Sequence, residues 1–352
     1  MKIWIDSKPL EARADQNILQ VARDNNIYIP SLCYHPRIGT LGKCRSCMVE
    51  IEGQSGLHTA CTTPVSENMS VHTGTPAVRE FQKTVCEMML TSGRHDCLSC
   101  EACGDCELQD MAYRLGIEHL TIQPESSFVK SDCSSPGIDL DFDKCIKCGR
   151  CVAACRDLVV NETLNFGFRG SDTRIICDDD KPMGESSCVQ CGECVQVCPV
   201  GAFIFKPSKG RARQWEMEST KVTCPYCAIG CQIDVQTRDK RIVNSLAHEN
   251  RFNEQPNKGQ LCVKGRFGLD YVHSPERLRI PLIRKNDKLV ECSWDEALDF
   301  TAERLKSIRS AHGADAIGFL APAKASNEDN YALMRFARAV IGTNNIDHCA
   351  RL

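Results

Sequence analysis

The spacing of the cysteine residues constrains this chain more than any other feature of its sequence. The chain has 352 residues, of which 25 are cysteine, and 20 of those cysteines stand in tight bunches. Cysteines that pack in a core would recur at the period of a helix or a strand, whereas here intervals of two and three residues repeat along the chain. The pattern predicts metal sites that divide the chain into successive modules.

Composition and charge narrow the class of protein further. With 43 Lys+Arg against 46 Asp+Glu, the net charge of −3 gives no electrostatic reason to expect a nucleic acid or an anionic membrane as partner. The first residues, MKIWIDSKPLEARADQ, contain no apolar core of signal-peptide type, and no run of 18 apolar residues exists for a membrane span. We therefore expect a cytoplasmic protein, whose thiols bind metal rather than form disulfides.

The sequence contains a clear internal repeat. CIKCGRCVAAC at 145–155 and CVQCGECVQVCP at 188–199 share the cysteine spacing x2, x2, x3. This is the spacing of bacterial ferredoxins, in which the fourth cysteine of each run ligates the other [4Fe–4S] cluster. The predicted ligands are Cys145, Cys148, Cys151 and Cys198 for one cluster, and Cys188, Cys191, Cys194 and Cys155 for its twin. Zinc is the alternative metal for paired CxxC knuckles, and the doubled spacing disfavours it.

The first bunch reads Cys33-x10-Cys44-x2-Cys47-x13-Cys61. Residues 2–6 alternate like a strand, and residues 18–26 predict a short amphipathic helix. Gly39 and Gly42 allow the loop to curl so that its N–H groups can point at sulfide. The long x10 interval resembles the [2Fe–2S] domain of the largest peripheral subunit of respiratory complex I, and the resemblance implies one [2Fe–2S] cluster on these four cysteines. A four-cysteine zinc knuckle is the alternative.

The second bunch, LTSGRHDCLSCEACGDCELQDMAYRLGI at 90–117, resembles the His(Cys)3 [4Fe–4S] segment of that same complex I subunit. The family pattern is H-x3-C-x2-C-x5-C followed by ELQ, and it implies Cys97, Cys100 and Cys106 as ligands. The fourth ligand departs from the pattern, because Gly93 stands four residues before Cys97. We expect His95 to serve instead. The alternatives are that Cys103 completes a four-cysteine site and that His95 is an ordinary surface residue.

The last bunch is CPYCAIGC at 224–231, followed by Cys262 in LCVKG. The spacing resembles the N-terminal [4Fe–4S] domain of molybdenum or tungsten bis-pterin oxidoreductases. The resemblance implies Cys224, Cys227, Cys231 and Cys262 as ligands. It also implies that Lys264 lies between cluster and pterin as a possible electron relay. The alternative is that Lys264 is an ordinary surface lysine.

After Cys262 the sequence pattern changes from cysteine motifs to predicted helices and a strand. Ser293 and Glu296 form a predicted capping box, followed by an amphipathic helix that ends at Gly313. Residues 316–320 predict a short buried strand, and a second helix is predicted over about 327–342. This alternation suggests the opening of an α/β domain. The segments 122–135 and 206–213 lack periodicity and are predicted to be linkers, the second of them a solvated basic connector rather than an anion site.

The predicted fold is multidomain α+β. Its parts are a β-grasp [2Fe–2S] ferredoxin domain (1–78), a His(Cys)3 segment (79–118), a double [4Fe–4S] ferredoxin-like module (138–207), a Mo/W-bis-pterin-type [4Fe–4S] domain (217–273) and the incomplete beginning of a molybdopterin domain (274–352). The predicted content is one [2Fe–2S] and four [4Fe–4S] clusters, which in the complete protein serve a molybdenum or tungsten bis-pterin guanine dinucleotide. No G-x-G-x-x-G or P-loop motif occurs, so nucleotide or flavin chemistry is expected on a partner.

Nearly the whole chain resembles the N-terminal part of the alpha subunits of cytosolic NAD-dependent formate dehydrogenases. The resemblance implies that formate is oxidised at the metal and that electrons pass through the clusters to flavin- and NAD-binding iron–sulfur partner subunits. The chain alone is not expected to be catalytically competent. A self-standing multi-cluster electron carrier and a complex I-type subunit are the alternatives.

The last six residues, DHCARL at 347–352, match the stretch that precedes the metal-ligating Cys or selenocysteine of that family. Because UGA encodes selenocysteine and is otherwise read as stop, we expect the natural protein to continue through selenocysteine at the next position. A codon other than UGA after Leu352 would contradict this expectation.

Overall fold

The computed structural model describes residues 1–123 and 129–348. The chain divides into two compact units, Met1–Glu218 (unit 1) and Ser219–Leu352 (unit 2). Part of the predicted linker 122–135 and the last four residues of DHCARL lie outside the described residues. No helix in the described parts of the chain is long and apolar enough to cross a membrane.

Unit 1 begins with a five-stranded sheet in the order β2-β1-β5-β3-β4. Its strands are β1 (Lys2–Ile5), β2 (Lys8–Glu11), β3 (Met48–Ile51), β4 (Leu57–Thr59) and β5 (Ser70–His72). β1 runs antiparallel to β2 and parallel to β5. This is the mixed sheet expected of the β-grasp domain, and the predicted strand at 2–6 is confirmed as β1.

Helix α1 (Ile18–Asp24) packs on this sheet and confirms the predicted helix at 18–26. Asn17 caps it, because its Oδ1 accepts from the Gln20 N–H at 2.9 Å while Gln20 Oε1 accepts from the Asn17 N–H at 2.9 Å. Ile18 and Leu19 on the helix meet Ile3 on the sheet in a core where all three are fully buried. Each such side chain contributes about 1.5–3 kcal/mol by leaving water.

Two longer helices follow, α2 (Pro76–Thr91) and α3 (Glu107–Leu115). Pro76 opens α2 behind the capping Thr75, where a missing N–H costs nothing. α3 ends at Gly116, whose φ of 65° is left-handed. Leu108 and Met111 on α3 and Cys86 on α2 are buried in one apolar cluster.

The ferredoxin-like segment shows its internal repeat in three dimensions. Its elements are β6 (Ile138–Leu140), α4 (Arg150–Ala153), β7 (Leu164–Gly167), β8 (Arg174–Cys177), α5 (Glu193–Gln196) and β9 (Phe203–Phe205). β6 pairs with β9 and β7 with β8, both antiparallel. Gly149 and Gly192, at equivalent positions of the repeat, precede α4 and α5 with φ of 85° and 71°. Each cysteine loop therefore turns into its short helix through a left-handed glycine.

The predicted linker at 206–213 is not a solvated connector. Lys206 Nζ donates to the carbonyl oxygens of Cys133 and Ser135 at 2.6 and 3.0 Å. Arg213 donates to the carbonyl oxygens of Cys100 and Leu98 at 2.8 and 2.9 Å. The basic side chains of this segment satisfy main-chain acceptors and so pack it onto unit 1.

Unit 2 contains a three-stranded sheet and two strand pairs. Its elements are β10 (Glu218–Thr223), β11 (Gln232–Arg238), β12 (Arg241–Ala247), α6 (Val263–Phe267), β13 (Leu282–Lys285), β14 (Lys288–Glu291), α7 (Trp294–His312), β15 (Phe319–Ala321), α8 (Asn327–Arg335) and β16 (Ile346–His348). β15 and β16 are parallel, as expected for the opening of an α/β domain.

Two local predictions in unit 2 need correction. Ser293 caps α7 as predicted, because its Oγ accepts from the Glu296 N–H at 3.2 Å. The Glu296 carboxylate, however, accepts from Lys285 Nζ at 2.5 Å instead of reaching back to the cap. The strand predicted at 316–320 is observed as β15, which begins three residues later and ends one residue later. Leu320 within it is 81% exposed rather than buried.

Candidate iron–sulfur sites

Site 1 comprises Cys33, Cys44, Cys47 and Cys61, all buried beside the N-terminal sheet. Hydrogen bonds from the Cys44 and Cys61 thiols hold the pKa of Cys33 far below its usual value. The same bonds raise the pKa of Cys44 and Cys61. The backbone N–H groups of Lys43 and Cys44 also point at the Cys33 sulfur, as expected for the curled loop. Four convergent thiols with main-chain donors fit a [2Fe–2S] cluster.

The loop of site 1 depends on two left-handed glycines. Gly39 and Gly42 have φ of 85° and 65°, the conformation expected from the sequence. Cys44 Sγ lies 3.1 Å from Ser46 Oγ, and Thr40 Oγ1 donates to the Cys61 carbonyl oxygen at 2.8 Å. These contacts of side-chain hydroxyl groups therefore stabilise the conformation of the loop.

Site 2 comprises the thiols of Cys97, Cys100, Cys103 and Cys106, with His95 before them. Burial raises the pKa of Cys106 to about 11, and the thiols of Cys100 and Cys97 act in the same direction. Burial also raises the pKa of Cys97, next to Cys100 and Cys103. The structure thus gathers all four thiols, including Cys103.

His95, two residues before Cys97, has a defined side-chain orientation. Its Nε2 lies 3.0 Å from the Met89 carbonyl oxygen. A metal-bound imidazole commonly donates its second N–H to such a carbonyl, which here leaves Nδ1 as the nitrogen for a metal. Gln109 Nε2 donates to Cys103 Sγ at 3.7 Å, so Cys103 also has a partner.

Gly93 explains why this chain departs from the family pattern. A Cβ atom at this position would lie 1.8 Å from the Asp143 carbonyl oxygen. The position that carries histidine in the family therefore has no room for any side chain here. Sequence reasoning noted the departure but could not find its cause, because Asp143 is distant in sequence.

Site 3 comprises Cys145, Cys148, Cys151 and Cys198. Burial raises the pKa of Cys145 to about 11 and that of Cys148 to about 12, and the nearby Cys198 adds to both shifts. Main-chain N–H groups point at the sulfurs, from Lys147 to Cys145, from Arg150 to Cys148, and from Val200, Ala202 and Phe203 to Cys198. Buried thiols with such donors fit a [4Fe–4S] cluster.

Site 4 comprises Cys188, Cys191, Cys194 and Cys155. Cys194 is buried next to the other three thiols, and Cys188 lies near Cys155. The Gln190 N–H points at Cys188 Sγ at 3.5 Å. The structure therefore brings the fourth cysteine of each run to the three cysteines of the other run, as the ferredoxin spacing predicts.

Site 5 lies in unit 2 and comprises Cys224, Cys227, Cys231 and Cys262. The Cys224 N–H donates to the Cys231 carbonyl oxygen at 2.8 Å, which closes the CPYCAIGC loop. Burial raises the pKa of Cys231 to about 11, with Cys224, Cys227 and Cys262 all near it. Lys264 is exposed on the short helix α6.

Among the described residues, no group of three or more His, Cys, Asp or Glu side chains is arranged to hold a single metal ion. The assignment of cluster sites therefore rests on cysteine spacing, gathered thiols and main-chain donors.

Sites 1, 2 and 3 border one apolar cluster of unit 1. It contains Cys33 and Cys44 of site 1 and Cys148 of site 3, and Cys106, Cys145 and Cys198 pack against it. Two ion pairs cross the same region. Arg37, in the site 1 loop, pairs with Glu193, in the site 4 loop, and Arg150, in the site 3 loop, pairs with Glu107, which follows Cys106. Sequence reasoning used Glu107 only as part of the ELQ stretch and missed the other three residues, because no local pattern marks their pairing.

Comparison with sequence families matches successive parts of the chain. The matches are the 2Fe-2S iron-sulfur cluster binding domain at 1–76, the NADH-ubiquinone oxidoreductase-G iron-sulfur binding region at 82–120, the 4Fe-4S dicluster domain at 144–202, the molybdopterin oxidoreductase Fe4S4 domain at 217–274 and the molybdopterin oxidoreductase family at 277–352. The part of the chain from residue 217 to residue 352 belongs to the molybdopterin oxidoreductase family. The resemblance and the fold class predicted from the sequence are thus confirmed.

Individual relatives agree with that placement. A protein of Staphylococcus aureus strain USA300 named “Putative formate dehydrogenase” is 32% identical over 99% of this chain, and so is one from strain N315. The chain covers 39% of the length of each. Among solved structures, a chain of the NAD+-reducing [NiFe]-hydrogenase in the H2-reduced state is 30% identical, with a TM-score of 0.56. That match covers 60% of this chain and 89% of the hydrogenase chain.

Proposed function

We propose that this chain is the iron–sulfur arm of a formate dehydrogenase alpha subunit. In the complete enzyme it carries electrons from formate, oxidised at a molybdenum or tungsten bis-pterin, towards a flavin/NAD(P)-binding or ferredoxin-linked partner. The proposal rests on the molybdopterin family match and on relatives named as formate dehydrogenases. The hydrogenase relative, which reduces NAD+ by its name, supports NAD-binding partner subunits. A cytoplasmic location follows from this proposal.

The observation that carries the electron-transfer role is the apolar cluster between sites 1, 2 and 3. Bound clusters would supply one-electron transfer. The protein gathers thiols, directs main-chain N–H groups at their sulfurs and packs Leu32, Leu108 and Val200 between the sites. A dry region of low dielectric constant between neighbouring carriers reduces the response of water to the moving charge.

The five segments, their 20 ligands and the role of Lys264 belong to the same proposal. A self-standing electron carrier is disfavoured by the match of 277–352 to the molybdopterin oxidoreductase family, because a carrier has no use for such a domain. A complex I-type subunit is the remaining alternative, supported by the match at 82–120.

Anaerobic reconstitution of the full chain should give about 18 iron atoms per chain, the content of one [2Fe–2S] and four [4Fe–4S] clusters. Iron and acid-labile sulfide analysis with EPR of the reduced protein measures this. Stoichiometric zinc with little iron would overturn the assignment.

Reduction of the complete natural enzyme by formate or by NADH separates the formate dehydrogenase proposal from the complex I-type alternative. Formate should bleach its visible cluster absorbance, whereas the 352-residue chain alone should be bleached by dithionite and not by formate. Bleaching of the complete enzyme by NADH and not by formate would favour the complex I-type alternative.

Substitution at site 2 decides its fourth ligand. We expect His95→Ala to alter one [4Fe–4S] EPR signal while Cys103→Ser leaves that signal intact, because His95 Nε2 holds the Met89 carbonyl and leaves Nδ1 for the iron. The signal should also have a higher reduction potential than an all-cysteine cluster, since neutral imidazole replaces a thiolate. Loss of the signal in Cys103→Ser, with His95→Ala unaffected, would assign Cys103 instead.

A further inference from the structure

The two halves of the ferredoxin-like repeat carry opposite charges at one equivalent position. Arg150 follows Cys148-Gly149 and precedes Cys151, and Glu193 follows Cys191-Gly192 and precedes Cys194. Both residues are buried, at 2% and 1% exposure. Burying a charge is costly, so a buried residue of opposite sign in each loop distinguishes two otherwise similar sites.

Arg150 is fixed by four hydrogen bonds from its two terminal nitrogens. Nη1 and Nη2 donate to the two carboxylate oxygens of Glu107, at 2.5 and 2.7 Å. Nη2 also donates to the Ser31 carbonyl oxygen at 3.2 Å, and Nη1 to that of Val197 at 3.5 Å. These acceptors precede or follow the cysteines of sites 1, 2 and 3, so the guanidinium lies where the three segments meet.

The guanidinium also lies next to the sulfurs of site 3. Its Nη1 reaches the carbonyl oxygen of Val197, the residue directly before Cys198, and the Arg150 backbone N–H points at Cys148, two residues earlier in the chain. Its Nε is buried without a hydrogen-bond partner within the described part of the chain. One donor of Arg150 therefore remains available beside these sulfurs.

Glu107 does not cancel this charge at the sulfurs. The Arg150 side chain is 2% exposed, whereas that of Glu107 is 46% exposed, so water screens the carboxylate more strongly than the guanidinium. Arginine also stays protonated throughout the accessible pH range. Arg150 thus contributes a permanent positive charge beside the sulfurs of site 3.

We propose that Arg150 raises the reduction potential of the site 3 cluster above that of its site 4 twin by holding one buried positive charge beside Cys148 and Cys198. Reduction adds one electron and hence one negative charge to a cluster, and a fixed positive charge stabilises the reduced form. The inference rests on the proposed function, since it requires clusters at both sites. With the higher reduction potential, the site 3 cluster is the one of the two that is reduced first.

EPR-monitored redox titration of the reconstituted full chain tests this. Cys145→Ser and Cys188→Ser first assign the signals of sites 3 and 4. In the unaltered chain site 3 should be reduced at the higher potential. Arg150→Gln should lower the equilibrium constant for reduction of the site 3 cluster by about tenfold, which corresponds to ~59 mV for one electron. It should leave the reduction potential of the site 4 cluster unchanged.

Three further variants separate charge from structure. Arg150→Lys keeps the positive charge and should give a site 3 potential close to that of the unaltered chain, although it loses the bidentate hydrogen bonds to Glu107. Glu107→Gln removes the screening carboxylate and should shift the site 3 potential upward, opposite to Arg150→Gln. Arg156→Gln is the matched control, because Arg156 is an exposed arginine directly after the same cysteine run. It should leave the site 3 potential unchanged.

Equal site 3 potentials in Arg150→Gln and Arg156→Gln would overturn the inference, and so would an Arg150→Lys potential as low as that of Arg150→Gln. If the unaltered chain showed no pair of [4Fe–4S] signals, the proposed function would fail together with the inference. Two normal signals without the shift would overturn only the role of Arg150.

Discussion

Removal of iron from the reconstituted chain should unfold the ferredoxin-like segment at 138–207 and leave the N-terminal sheet folded. The segment has strands of three or four residues and α-helices of four residues, too short to be stable in isolation. Three of its buried side chains, those of Cys148, Cys151 and Cys194, are predicted ligands, and the other five ligands of the segment are partly buried. Small domains of this kind derive their folding free energy from the metal.

The thiols themselves add to the effect. Burial raises the pKa of Cys145 to about 11 and that of Cys148 to about 12, so these groups are protonated near pH 7 once iron has left. Protonated thiols that have lost the metal have only weak hydrogen bonds to offer the main-chain N–H groups around them. The loops then lose the interactions that hold them in place.

Hydrogen exchange with mass spectrometry after anaerobic chelation measures this outcome. Amide protection across 138–207 should fall by at least about a thousandfold, equivalent to ~4 kcal/mol. The amides of β1 and β5 provide the internal control, because only Cys47 and Cys61 among the buried residues in the cluster around Ile3, Ile5 and Val71 are predicted ligands, and the rest is an apolar core independent of metal. Retained protection across 138–207 would show that its core folds without metal.

The cysteines could be grouped from the sequence because ligands of one cluster stand close together along the chain. Two steps were long-range: the exchange of Cys155 and Cys198 between the two runs, which the duplicated spacing supplied, and the assignment of Cys262 to site 5, which the family resemblance supplied. The structure brings together the predicted thiols of each site, and at site 2 it adds Cys103, while their binding of iron stays a prediction. Strand β1 and helix α1 were also predictable, since their apolar residues follow the period of each element.

What the sequence could not predict depends on partners from distant segments. Gly93 looks like an ordinary turn residue until the Asp143 carbonyl is found against it. Glu296 fits a capping box, yet Lys285 on the preceding strand β13 attracts its carboxylate. Local rules rank the choices open to one segment, and tertiary contacts then select among them.

The ion pair between Arg37 and Glu193 is a second feature of this kind, because 156 residues separate its partners. Both side chains are 2% exposed, and the pair joins the site 1 loop to the site 4 loop. The neighbourhood is positive. Burial lowers the pKa of His35 to about 3, and the charges of Arg37, Arg150 and Arg23 lower it further. The Glu193 carboxylate therefore compensates several cations in a region with little water.

Glu193→Ala should destabilise unit 1 by about 3–5 kcal/mol, because it removes one partner of a buried pair and leaves the Arg37 charge in place. Anaerobic urea unfolding, followed through the visible cluster absorbance, should show the midpoint lowered by at least about 1 M. Asp157→Ala, which removes an exposed carboxylate paired with Arg156, should leave the midpoint unchanged. Arg37→Met combined with Glu193→Met should recover most of the loss, since two apolar side chains replace the pair without an isolated charge. If the double variant were as unstable as Glu193→Ala, the loss would come from packing around residue 193 and not from the charge.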